Sequence, residues 1–166
     1  MNKGISMAAA ICFAIGFFCQ LRQLRGAANA GDPSAWFRAG VFGAVMHIPM
    51  SLAILRPAYF KEFFKGDRLS FAGEMVFFFG GLTAACIFLL LRTGWTAMAR
   101  WWLSLACMTA LLVHVCAMGY CRGLNINKTH AYMPPMWALS AVAVTIGIGW
   151  LLWSRPRDSA PKTGGM

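Results

Sequence analysis

Glu74 is the only acidic residue inside any long apolar run of the chain, and its run, residues 69–91, holds no other charge. An ionisable side chain at that depth costs roughly 2.5–3.5 kcal/mol even on lenient insertion scales, which makes it a functional-site candidate by default. Its partner on the preceding apolar segment is His47, one short loop away. A carboxylate takes up and releases protons, and an imidazole both donates and accepts hydrogen bonds. Brought to one side of a membrane, the two could contact a quinone headgroup entering from lipid, the imidazole bonding a ring oxygen and the carboxyl handling protons. The structural alternative is that His47 and Glu74 satisfy each other, or satisfy backbone freed by Pro49.

Helical spacing says how such residues would be presented. Gly40, Ala44, His47 and Ser51 recur at intervals of four, three and four, one stripe of a helix. Small residues along a stripe let helix backbones approach in lipid, so His47 is predicted to face protein. Glu74, Phe78, Gly81 and Ala85 form a comparable stripe, as do Ala8, Cys12 and Gly16. Together the stripes predict an interior shared by the first three helices and containing both ionisable groups. At ~1.5 Å per residue, His47 and Glu74 would lie roughly 12 and 7 Å from the same surface.

A second constellation competes for His47. His114 stands shortly before Tyr120 on the fourth apolar segment, which runs parallel to the second, so the two histidines are predicted at similar depth. Two histidines from facing helices at one level can hold a b-type haem. His130 falls in the last loop and reads as an interfacial polar residue.

The elements that position these side chains follow from composition. The chain has 166 residues, 59% apolar and 12% charged, against about 45–50% and about 25% in soluble domains. This predicts an all-α integral membrane protein, a single domain over residues 1–154. Five segments approach the ~17–25 residues of a membrane helix: about 5–21, 37–55, 69–91, 101–120 and 133–153. Arginines punctuate their ends, and Trp36, Trp95, Trp101, Trp102 and Trp153 supply interfacial rings. A short polar basic tail, 155–166, follows.

Ala28-Asn29-Ala30 after the first segment looks like a signal cleavage site, but Arg22 and Arg25 intervene, so retention is expected. Five retained spans put the termini on opposite sides. With the N-terminus outside, the cytoplasmic side holds eight of the 15 Lys and Arg residues and the other side seven, which selects no orientation. The net charge of +10 reads as helix-end anchors and affinity for anionic lipid, not as nucleic-acid binding. The six cysteines form no CxxC pair, so no metal site is expected and buried thiols acting as small hydrophobes are. The basic loop 56–68 reads either as an interface-lying connection or as a docking surface for a soluble partner.

Met46-His47, then Pro49, then Leu69-Ser70-Phe71-Ala72-Gly73-Glu74 resembles the His, Pro, Leu-Ser and Glu pattern of dimethyl sulfoxide reductase membrane anchor subunits. Val115-Cys116-Ala117-Met118-Gly119-Tyr120 and Pro134-Pro135-Met136 are similar to that family's fourth-helix ending and its approach to the fifth. The resemblance covers about residues 37–149. It implies a haem-free anchor in the bacterial cytoplasmic membrane that oxidises menaquinol near the outer face. Electrons would pass to an iron–sulfur subunit and on to a molybdopterin catalytic subunit. His47 and Glu74 match the family's quinol-site histidine and glutamate, with Arg56, Tyr59 and Arg68 at the mouth. The N-terminus would be outside and the 56–68 loop would face the iron–sulfur partner. Family members usually carry more helices than this chain, which implies pairing with another anchor subunit or with a second copy, or a shortened relative that only tethers the partner.

Overall fold

The computed structural model describes residues 2–24, 31–121 and 135–155. Its helices are α1 Asn2–Leu24, α2 Pro33–Ala53, α3 Phe71–Leu90, α4 Ala97–Cys121 and α5 Met136–Trp153. Arg25, Ala28-Asn29-Ala30, Arg122, His130, Arg157 and Lys162 lie outside the described residues.

Three helix starts are fixed by side chains that satisfy otherwise orphaned amides. Asp32 accepts from the Ser34 amide at 2.9 Å and Pro33 occupies the first turn, so α2 begins before the apolar run does. Ser70 Oγ accepts from the Gly73 amide at 3.1 Å and starts α3. Thr96 Oγ1 accepts from the Ala99 amide at 3.1 Å, drawing α4 upstream of Trp101. Between α3 and α4 the chain turns at Gly94, whose φ of 92° suits a residue without Cβ.

The helices pack as α1 on α2, α3 on α4 and α4 on α5, with slight contact between α1 and α5. Small residues carry each seam. Gly40 lies under the Phe13 ring, where an added Cβ would come within 2.9 Å, and Gly43 lies against Ala9. Val76, Thr83, Cys86, Cys107 and Ala110 are buried between α3 and α4. On α5, Trp137 covers Gly119 of α4, and the Trp101 indole donates to the Leu151 carbonyl at 2.7 Å.

This arrangement corrects the predicted interior. The α2 stripe does face protein, with Gly40 buried and Ala44, His47 and Ser51 half-buried. The α3 stripe does not: Glu74, Phe78, Gly81 and Ala85 are all exposed, and Gly73, Val76, Gly80 and Thr83 make the packed face. No packing comparable to the three main seams joins α2 to α3.

Three helices, α3, α4 and α5, are long and apolar enough to cross a membrane, so the chain is read as a membrane protein. In α1 only the shorter stretch Gly4–Gly16 is comparably apolar.

The segment between α2 and α3 is ordered, not a bare tether. A short 3-10 turn, Lys61–Phe63, leads into an antiparallel pair, β1 Phe64–Lys65 and β2 Arg68–Leu69. Gly66, with φ 66°, takes the first central position of the connecting turn, where two-residue hairpins favour glycine. Phe63 is buried, its ring stacks on Phe60 at 5.3 Å, and its carbonyl accepts from the Ser70 amide. Gly73 admits that carbonyl against α3, because a Cβ there would collide with it.

Candidate functional site

His47 sits near the inner end of the α2 stripe, its ring 3.3–3.4 Å from Ser51 Oγ one turn further on. Glu74 lies in the first turn of α3, a position that suits an acidic side chain beside the helix's positive end. Its carboxylate makes no hydrogen bond or ion pair among the described residues. The two side chains therefore do not satisfy one another, which removes the structural alternative in its direct form. Their depths also differ from the sequence expectation. Measured from the nearest helix end at ~1.5 Å per residue, His47 is about 9 Å in and Glu74 about 4.5 Å.

His114 is the better-anchored group. Its Nδ1 donates to the Val76 carbonyl of α3 at 2.7 Å. Gly80 makes this possible, since a Cβ there would come within 2.9 Å of Nδ1. A carbonyl only accepts, so Nδ1 carries the proton, and in the neutral ring Nε2 is left as an acceptor. His47 lies within electrostatic reach of this imidazole. His114 stands about 10 Å from the end of α4 at ~1.5 Å per residue. The structure thus brings His47 and His114 into one neighbourhood and sets Glu74 on the other side of α3.

Arg56, Tyr59 and Arg68 are exposed on the segment between α2 and α3, together with Lys61 and Lys65. They form a basic surface held to α3 through Phe63. None of them is hydrogen-bonded to His47 or Glu74 among the described residues. A cavity of about 320 Å³ between α3 and α4, lined by Phe79, Leu82, Trp102 and Ala106 among others, is apolar and includes neither histidine. Among the described residues no group of three His, Cys, Asp or Glu could hold a metal ion, and Cys19, Cys86 and Cys107 are buried.

Sequence reasoning missed Gly80 and the Val76 carbonyl as the pair that positions His114. The available signal was Gly80 itself, one turn beyond Val76 and facing away from the Glu74 stripe.

Comparison with protein families, curated proteins and solved structures finds no match to the chain.

Proposed function

We propose that the chain is the membrane anchor subunit of a bacterial respiratory oxidoreductase, which binds and oxidises menaquinol and passes electrons to an iron–sulfur partner of a molybdopterin enzyme. The supporting observation is a half-buried histidine, His47, facing protein within an apolar bundle and within electrostatic reach of a second, His114. In this reading the five helices all span the cytoplasmic membrane and the N-terminus is outside.

The chemistry removes two protons and two electrons from the quinol, and the partner's iron–sulfur clusters take the electrons one at a time. The chain orients the ring and receives protons, since the redox chemistry belongs to the quinol. His47 bonds a ring oxygen. Glu74, exposed one turn inside α3, takes a proton onward to the aqueous edge. The exposed cations Arg56, Lys61, Lys65 and Arg68, with Tyr59 among them, give the iron–sulfur partner and lipid headgroups a surface at the mouth. Quinol-dependent reductase activity of the assembled complex is expected to fall at least tenfold in His47→Ala and Glu74→Gln with assembly intact. Undiminished turnover in both variants removes the proposal, and a pure tether predicts that only recovery of the complex changes.

One observation favours a second reading, a b-type haem between His47 and His114. The Nδ1–H bond to the Val76 carbonyl is the orienting contact that metal-binding histidines commonly make. A haem absorption band in the purified protein, lost in both His47→Ala and His114→Ala, would decide for it.

A further inference from the structure

We propose that His114 is the proton acceptor of the quinol site, taking the first proton from the ring hydroxyl at Nε2; this rests on the quinol reading given above. Three features carry it. The 2.7 Å bond from Nδ1 to the Val76 carbonyl fixes the tautomer, so Nε2 presents a lone pair. Gly80 lets the ring lie against α3, since a Cβ there would come within 2.9 Å of Nδ1. His47, half-buried on α2, stands within electrostatic reach of this imidazole.

Glu74 is poorly placed for that first transfer. It lies on the α3 face opposite the one that packs on α4, a turn nearer the helix end. The ring hydroxyl donates to Nε2, its O–H bond breaks and an N–H bond forms, leaving the ring oxygen anionic and the imidazole positively charged. No electron moves in this step. The electrons leave afterwards to the iron–sulfur clusters of the partner, and the imidazolium returns its proton toward the surface.

An acceptor at Nε2 distinguishes the two redox forms of the ligand, because a quinol hydroxyl donates to it whereas a quinone carbonyl only accepts. The test uses the full chain in detergent under anaerobic conditions, with a tail-free dimethyl naphthoquinol and the corresponding quinone, binding being read from quenching of tryptophan fluorescence. Wild type is expected to prefer the quinol. His114→Asn keeps an amide that can donate to the Val76 carbonyl but has no atom in the Nε2 position. It is expected to lose about tenfold in quinol affinity, the scale of one lost hydrogen bond, with quinone affinity unchanged. An unchanged quinol preference in His114→Asn overturns the assignment and leaves the quinol reading standing. If wild type binds neither form, the quinol reading fails and the assignment falls with it. Should the variant not fold, nitrogen NMR of histidine-labelled wild type decides: the His114 Nε2 resonance is expected to move with quinol and not with quinone, and a resonance unmoved by quinol overturns the proposal.

Discussion

At the scale of residues, one absent Cβ decides where the His114 imidazole lies. Gly80→Ala would place a methyl group within 2.9 Å of Nδ1 on the rigid side of a helix seam. Either the ring or α4 must give, and overpacking of this kind typically costs about 1–3 kcal/mol. The expected outcome is a lower unfolding midpoint in detergent together with loss of the Nδ1 bond to Val76, read from the histidine nitrogen resonances. An unchanged midpoint with the bond intact would show that the seam is looser than the 2.7 Å contact implies. The sequence made the His47 part of this neighbourhood legible, because small residues recur beside it at helical spacing and α1 packs there. Glu74 was misplaced for a physical reason. Nearly every side of α3 is apolar, so no polar face marks its outside, and two small-residue stripes compete: one with Gly81 and Ala85, one with Gly73 and Gly80. What settles the choice is the fit of the Phe63 carbonyl over Gly73 and of His114 over Gly80, and neither partner is near in sequence.

At the scale of elements, helix limits follow caps more closely than they follow hydropathy. The apolar runs locate all five helices, yet α2 and α4 begin several residues upstream of them, where Asp32 and Thr96 supply the first hydrogen bonds. Asp32 is also a titrating cap. Its side-chain hydrogen bond with Ser34, then its bond from the Ser34 amide, hold its carboxyl below the ordinary aspartate value. A lowered folded-state pKa means the carboxylate's contribution is present above the ordinary value, about 3.9, and is lost as pH falls through the lowered one. Hydrogen-exchange protection at the start of α2 is therefore expected to hold at neutral pH and to fall in acid below about pH 4. Asp32→Asn keeps an accepting oxygen and should flatten that dependence. Equal acid sensitivity in both proteins would assign the loss to some other group.

At the scale of the whole molecule, α1 and α2 form one packed pair and α3, α4 and α5 form another unit, with the ordered 3-10 turn and hairpin between them. The α3 to α5 unit has the length and hydropathy to span, whereas α2 carries Arg38, His47 and Pro49 and has less apolar character to hold it in lipid. Charge cannot decide the matter, because eight and seven basic residues on the two sides leave the orientation rule without leverage. Geometry gives a discriminating measurement. If all five helices cross, the start of α2 and the α3–α4 turn share one side, and the segment between α2 and α3 lies on the other. If α1 and α2 lie along the interface instead, the start of α2 and that segment share a side. Single cysteines introduced by Ser34→Cys, Tyr59→Cys and Gly94→Cys, in a chain with its six native cysteines replaced, would be labelled with an impermeant maleimide on intact cells. These positions are exposed in the structure, so access is limited by the membrane alone. Five spans require Ser34→Cys and Gly94→Cys to label alike and Tyr59→Cys oppositely. Like labelling of Ser34→Cys and Tyr59→Cys would leave three spans, and would remove His47 from the bundle interior on which the quinol site depends.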